Sequence, residues 1–525
     1  MGLKERLFLP LTTGTALALL IGGAGAYLSV AQLRQRAAAP PAEAALIPEN
    51  ALLAVTLATN RQTWEQLVKL GTANTRQAVA ARFDSWHSSL VEATGYRFSQ
   101  DVQPWLGPEI TWALLPSAAG SSPDTVEQLL LLPVTASEKL PPLLEQANDG
   151  TPWPQRQYRG VSIRSIPHAE QSWEMALLEQ RWVALSNGPA GIEAAVDALA
   201  DEEPTLLGND RYRQSLQRLG QPGVVAQLYA RADAAALLGW ELPGFEGLAA
   251  TVAFAAPRVT VAASSWLDPA AGPIYGDLSN AFPTFPEELP ISTLFLISGR
   301  HIAQLWSMVQ NADRLRNILP LSPQALEQEF EQRTAIDLEN DVLPLLAEET
   351  TLALLSPIED SPLGIDRFLL LGQVEEKDVA QGIWQQLDRT LQERYQFTIK
   401  SDTENDIAAT YWQSPFQTTQ MAYGWLDENR FFWGLGEDIT DELAPSGAAS
   451  LERQPLVRRL LKQAPRDQAG YLFLDLAGLR QIDTPTLSIA DGPVARNIDR
   501  FGLSVRVNDE QSLDYLGLID LARPR

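Results

Sequence analysis

Asp101-Val102-Gln103-Pro104-Trp105-Leu106-Gly107-Pro108-Glu109-Ile110-Thr111-Trp112-Ala113-Leu114-Leu115 returns 240 positions later as Asp341-Val342-Leu343-Pro344-Leu345-Leu346-Ala347-Glu348-Glu349-Thr350-Thr351-Leu352-Ala353-Leu354-Leu355. Extended back to Thr94 and Thr334, the two segments run for 22 residues without a gap and agree at ten. The identities are Thr94/Thr334, Asp101/Asp341, Val102/Val342, Pro104/Pro344, Leu106/Leu346, Glu109/Glu349, Thr111/Thr351, Ala113/Ala353, Leu114/Leu354 and Leu115/Leu355. Shared composition does not produce that agreement, so the chain carries one domain twice. The same offset sets Leu129-Leu130-Leu131 on Leu369-Leu370-Leu371 and Val134 on Val374.

Working outward, the repeat places domain 1 at residues 46–268 and domain 2 at 291–525. Residues 269–290 hold five prolines, a composition that resists helix and central strand and reads as a linker. Apolar runs at 111–115 and 129–134 predict a hairpin, repeated at 351–355 and 368–374. Alternating segments follow at 161–166, 173–178 and 182–185, mirrored at 421–426 and 431–434. Helical spacing at Trp64, Leu67 and Val68, and at Ile302, Leu305, Trp306 and Val309, follows the first strand of each copy. Helical pattern at 191–199 and 212–219 precedes the strand at 224–229, whose partner in the second copy is 471–474. Each copy closes with a strand pair, 248–254 with 259–266 and 501–507 with 513–518. Strands beside strands with helices inserted predict an α+β class: an N-terminal transmembrane helix, then a tandem duplication of a mainly antiparallel α+β domain.

The predicted anchor is residues 1–36. No charge occurs from Leu7 to Leu33, and 7–30 is long enough to cross a hydrocarbon core. The alternative is a secretory signal cut after Ala24-Gly25-Ala26, leaving a soluble exported protein that starts at Tyr27. Residues 37–45, rich in alanine and proline, read as a semi-rigid spacer. With the N-terminus cytoplasmic, the body is expected on the far side of the membrane. Gly14, Ala18, Gly22 and Ala26 share one face of the predicted helix, as small residues do where helices approach closely; the alanine- and glycine-rich composition explains them equally well.

Charge and composition exclude more than they identify. The net charge is −25, and beyond residue 36 the chain holds 36 basic against 64 acidic side chains. Such a body opposes nucleic acid and favours cationic partners. The excess is uneven, −9 over residues 46–270 and −18 over 271–525. The absence of cysteine removes disulfides, thiolate metal sites and cysteine nucleophiles. His87, His168 and His301 do not correspond between the copies and form no ligand cluster in sequence. There is no nucleophile elbow, phosphate loop or dinucleotide fingerprint, so no catalytic residue and no cofactor is assigned.

Two motifs carry a competing functional reading. Asp337, Glu339, Asp341 and Glu348 are spaced like the acidic positions of a calcium loop, but Val342 stands where the turn glycine belongs and the first copy has Arg97 and Ser99. The repeated Asp-Val-x-Pro segment reads more simply as a turn that seats the following strand. Aromatics beside proline, at Pro152-Trp153-Pro154 and Phe282-Pro283-Thr284-Phe285-Pro286, suit either the core or a partner surface.

The apolar N-terminus, the Pro48 start, Trp64-Glu65-Gln66-Leu67 running to Gly71-Thr72, and residues 101–116 with their Pro104-Trp105-Leu106-Gly107 core resemble an uncharacterised, membrane-anchored cyanobacterial family known only as a domain of unknown function. The resemblance implies a cyanobacterial envelope or thylakoid membrane with the body in periplasm or lumen, and it implies no reaction. The functional expectation is a non-catalytic binding or scaffolding protein that holds a protein partner at the membrane. The alternatives are a pocket for an apolar ligand such as lipid or pigment, and an enzyme whose carboxylates converge only in the folded chain.

Overall fold

The computed structural model describes residues 39–59, 97–116, 126–140, 144–146, 150–166, 172–237, 244–300, 323–357, 367–436, 439–443, 449–481 and 495–522, except 202, 256, 273, 277, 283, 347, 405–406 and 416–419. The chain divides between Ala271 and Gly272 into two compact units, with residues 521–525 counting with the first.

The first unit has strands β1 (Leu53–Ala58), β2 (Glu109–Pro116), β3 (Val126–Pro133), β4 (Gln155–Tyr158), β5 (Val161–Ile166), β6 (Trp173–Leu178), β7 (Trp182–Ser186), β8 (Val224–Arg231), β9 (Phe245–Ala255) and β10 (Arg258–Leu267). They lie in the order β4-β5-β6-β7-β3-β2-β1-β8-β9-β10, every neighbouring pair antiparallel. In the second unit the strands are β11 (Thr293–Gly299), β12 (Thr350–Leu355), β13 (Arg367–Gln373), β14 (Thr398–Glu404), β15 (Ile407–Gln413), β16 (Gln420–Trp425), β17 (Arg430–Leu435), β18 (Gly470–Asp475), β19 (Ile498–Asp509) and β20 (Ser512–Leu521). Their order, β14-β15-β16-β17-β13-β12-β11-β18-β19-β20, repeats that of the first unit.

The central strands are buried along most of their length and mainly apolar, because both faces are covered. In β2, Ile110, Trp112 and Leu114 join one core cluster and Ala113 and Leu115 another, as the two-residue strand period requires. The helices are α1 (Pro189–Leu199), α2 (Asp210–Arg218) and α3 (Ala232–Leu237) in the first unit, then α4 (Pro323–Thr334), α5 (Lys377–Tyr395), α6 (Pro455–Gln463) and α7 (Leu476–Leu479) in the second. α1 and α2 cover one face of the first sheet through Ile192, Ala195, Val196, Tyr212 and Leu216. α6 does the same in the second unit through Leu456, Val457 and Leu460. Side chains cap the starts of both second covering helices. Asn209 accepts from the Tyr212 N–H at 2.8 Å, and Gln454 accepts from Leu456 and Val457.

Two expectations are corrected here. The α+β class gives way to a fold dominated by antiparallel sheet: the sequential strands pair into ten-stranded orders, and most of the helices are short covers upon them. The membrane-spanning architecture, with the periplasmic or lumenal localisation built on it, gives way as well, because no described helix carries it. No helix among the described residues is long and apolar enough to cross a membrane. The longest, α5, carries Lys377, Asp378, Asp388, Arg389, Glu393 and Arg394. The segment 7–30, on which the anchor was read, lies outside the described residues, as do Trp64 and Ile302 with their helical patterns.

The repeated Asp-Val-x-Pro segment has a structural explanation. A single turn of π-helix, Phe98–Val102, recurs at Leu338–Val342. In the first, an Asp101 carboxylate oxygen accepts from the Arg97 N–H at 2.7 Å; in the second, Asp341 accepts from Asp337 at 3.0 Å. The Trp105 indole N–H then donates to the Asp101 carbonyl at 2.7 Å, fixing the approach to β2. At the centre of each sheet a buried hydroxyl pair also recurs, Thr56 with Thr111 at 2.8 Å and Ser298 with Thr351 at 2.7 Å.

Candidate functional site

The acidic residues read as a calcium loop are not brought together. Asp337 uses one oxygen on the backbone N–H groups of Glu339 and Asn340 and the other on the Asn340 side chain. Those bonds hold its carboxyl below the usual range, the Asn340 side chain contributing most. Asp341 closes the π-turn, and Glu348 pairs with Arg300 at 2.8 Å. Among the described residues no group of three or more potential ligands is placed to hold a metal ion. His87, His168 and His301 lie outside the described residues. Of the aromatics beside proline, Trp153 and Phe285 are buried, while Phe282 is 66% exposed.

The groups that converge are others. Residues 42–45, which composition reads as spacer, form part of a 3-10 turn, Ala42–Leu46, and Ala44 and Leu46 seat in the first unit's core. That turn carries Glu43, only 3% exposed, to the wall of a cavity of about 430 Å³. Glu109 at the start of β2, Arg181 just before β7, Trp182 at its start, and Gln227 in β8 share the lining, with Pro41, Pro108, Pro133 and Val224 around them. Gly223, at φ +76°, turns the chain into β8 at the same wall.

Two acceptors on residues of this lining lack a donor. The Glu43 Oε2 and the Gln227 Oε1 are buried without a hydrogen-bond partner, although the Gln227 amide donates to the Ala39 carbonyl at 3.3 Å. A buried polar atom left unmatched costs about 1–3 kcal/mol, so such atoms mark places where a partner belongs. Burial pushes the Glu43 carboxyl up to about 7; a backbone hydrogen bond opposes this, the charge of Glu109 adds to it, and the Trp182 indole opposes it. The Arg181 guanidinium lies over the Trp182 ring, 4.5 Å from its centroid.

The second unit answers the same position differently. Glu349 stands where Glu109 does, and it accepts from the Thr284 N–H at 3.1 Å, from the Thr284 hydroxyl and from Ser298. Pro133 pairs with Trp182 in the first sheet and Gln373 with Arg430 in the second, so an arginine occupies the place of Trp182. Arg430 forms ion pairs with Glu288 and with Asp427. By the same register argument Tyr471 replaces Gln227, since Thr56 pairs with Gln227 and Ser298 with Tyr471. Counted back from Pro48 and Pro290, which make equivalent bridges, Phe285 replaces Glu43. Glu288 and Glu349 are both raised, chiefly by burial, with Arg430 and Thr284 respectively opposing.

Reading the sequence missed this site because its members are scattered over nearly two hundred positions and Glu43 lies in a stretch dominated by alanine and proline. One signal was present: Glu109/Glu349 is among the ten identities, a charge retained at the edge of an otherwise apolar strand.

The family model described as "Protein of unknown function (DUF3352)" matches residues 11–521, and the chain belongs to that family. Family membership says nothing of source or anchoring. No curated protein matches the chain. Among solved structures, crystal form I of TP0453 is 12% identical with a TM-score of 0.26, covering 47% of this chain and 83% of its own. Crystal form III is 12% identical at a TM-score of 0.25, covering 42% and 78%. Likeness at that level carries no argument about this protein.

Proposed function

We propose that this member of a family of unknown function is a non-catalytic binding protein whose ligand site is the cavity of the first repeat. One observation supports the reading above the rest: Glu43, a nearly fully buried acid among the residues that line a cavity, has a carboxyl oxygen without a hydrogen-bond partner. Burying such a group is costly unless a partner arrives, and a bound ligand supplies one. The side chains lining the cavity include two carboxylates, one arginine and two glutamines, and no serine, threonine or lysine that would act as a nucleophile. The mixed polar lining suits a polar ligand better than a lipid or pigment. The net charge of −25 favours a cationic partner, whether small or part of a protein.

The test is a thermal-shift survey of small cations, anions and neutral compounds on the full chain, alongside Val224→Trp, which fills the cavity from β8. Compounds that raise the melting temperature of the parent and not of Val224→Trp are expected. A survey in which nothing stabilises the parent, or in which every shift survives the substitution, refutes the reading.

A further inference from the structure

We propose that a second cavity of the first repeat binds an alkyl chain with an ammonium group at each end, a diamine or polyamine. β8 runs from the Glu43 cavity at Val224 to this one at Arg231, and the two cavities share no lining residue.

The second cavity, of about 600 Å³, lies where β8 ends, β9 begins and β10 ends. Its wall carries Glu49, Glu203, Asp233, Glu246 and Asp268 against one cation, Arg231. Arg231 is committed to Asp233 at 3.0 Å and to the Asn50 carbonyl at 3.1 Å. Arg211, from α2, approaches Glu246 at 3.9 Å. Glu49 accepts from the Asn209 side-chain amide at 2.9 Å and Asp268 from the Ala270 N–H at 2.8 Å, neutral donors that leave both charges uncompensated.

Acids alone mark no site on a chain of net charge −25, and Tyr229 supplies the independent observation. It is 3% exposed, lines the cavity, and its hydroxyl has no hydrogen-bond partner among the described residues. Unlike the sealed Tyr471 hydroxyl of the second repeat, it retains accessible surface on the cavity wall. Burial pushes this hydroxyl up to about 12; the charge of Arg231 opposes and those of Glu49 and Glu246 add, which sets it among charged groups of the wall.

The second repeat has none of this. The Glu49 N–H donates to the Pro204 carbonyl and the Ile291 N–H to that of Ala449, so Ile291 stands where Glu49 does. Since Gln227 and Tyr471 are equivalent, Phe473 takes the place of Tyr229, Asp475 that of Arg231 and Ala477 that of Asp233. Asp475 is answered from within by Arg500 at 3.0 Å. Across the ladder Arg500 corresponds to Gly247, where a side chain would come within 2.7 Å of the Trp266 ring.

The five acids come from separate segments and ring the cavity; among the described residues no three of them are placed to hold a metal ion. A ligand with separated ammonium groups meets such a ring, while Tyr229, Phe245 and Trp266 offer aromatic surface to its methylenes and its charge. An anion would meet five carboxylates, and a neutral ligand would leave them uncompensated.

Isothermal titration of the full chain with cadaverine, spermidine, pentylamine and pentanediol tests this. Cadaverine or spermidine is expected to bind, with pentylamine about tenfold weaker for want of one charge-assisted contact and pentanediol silent. Glu49→Gln should weaken binding about tenfold, and Tyr229→Phe, which matches the second repeat, about threefold, with circular dichroism unchanged in both. Asp402→Asn, which removes an exposed charge in the other repeat, should bind as the parent does. Equal binding of pentylamine or pentanediol, binding untouched by Glu49→Gln and Tyr229→Phe, an equal loss in Asp402→Asn, or no binding at all overturns the assignment. Val224→Trp separates the two cavities, since it fills the first and should leave diamine binding intact. Diamine binding lost in Val224→Trp and kept in Glu49→Gln would refute this site and support the Glu43 cavity instead.

Discussion

The two repeats share a strand order and differ in what they do with charge at the head of the sheet. Both retain a carboxylate where the second strand begins, Glu109 as its first residue in one and Glu349 immediately before it in the other. In the second repeat, hydroxyls, backbone N–H groups and arginines gather around that position; in the first, a second acid, Glu43, and a cavity lie beside it. The backbone frame is specified by apolar alternation and cross-strand pairing, which divergence leaves alone. Polar side chains at the edge of that frame are free to change, and each copy of a duplicated domain can carry its own arrangement of charge there.

The sharpest way to break the comparison is in the core. Trp112 is 1% exposed, yet its counterpart Leu352 is 39% exposed, so the equivalent position has different weight in the two repeats. Trp112→Ala should destabilise the first repeat by about 4 kcal/mol and Leu352→Ala the second by about 0.5 kcal/mol or less. Hydrogen exchange read by mass spectrometry, which resolves peptides from each repeat, checks this; equal losses would mean that the repeats do not differ there.

A smaller effect, of opposite sign, is expected at Glu43. Its carboxyl is raised from 4.5 to about 7 on folding, so between those values the native state holds a proton that the unfolded chain has lost. Stability tied to this group is therefore full below about pH 4.5, falls as pH rises and reaches its lowest level above about pH 7. Glu43→Gln should stabilise by up to about 3 kcal/mol near pH 8 and hardly at all near pH 4. Urea unfolding at the two pH values measures it, and a pH-independent effect would place Glu43 outside the buried role given to it.

Arg430→Ala sharpens the same contrast from the other repeat. It strands Glu288, whose carboxyl is already raised by burial, and should cost about 2 kcal/mol near neutral pH, since the pair is only partly shielded from water. The loss should shrink as pH falls and Glu288 takes up a proton. Unfolding midpoints across pH provide the check, and a loss that grows in acid would contradict it.

How much of this was legible in the sequence depended on spacing. The hairpins read at 111–115 with 129–134 and at 351–355 with 368–374 are β2–β3 and β12–β13, because a run of apolar residues closed by turn signals is a local pattern. The dominance of sheet over helix was not legible. Helical spacing at 191–199 and 212–219 marks α1 and α2 correctly, but spacing cannot say that such helices merely cover one face of a ten-stranded order. The acidic alternation at Asp337, Glu339 and Asp341 looked like a ligand set, yet it serves backbone N–H groups, since a carboxylate in a tight turn finds those donors first. Glu43 was invisible for the opposite reason: its neighbours are alanine and proline, and its importance arises from burial that only the tertiary fold imposes.

The buried hydroxyl pair of each sheet has a consequence for how the chain reaches its structure. Thr56 with Thr111, and Ser298 with Thr351, occupy matching places, and in the first repeat a slip of one residue would set a hydroxyl against Ile110 or Trp112. The pair therefore favours the register of β1 on β2, and its counterpart joins β11 to β12 at the matching place. It does not tell one copy from the other, because a threonine from either repeat meets the serine or threonine of the other equally well. A nascent chain that has made only its first copy has a single choice of partner, whereas a full-length chain refolding from denaturant has two. Synthesis from the N-terminus thus protects against strand exchange between copies in a way that refolding does not.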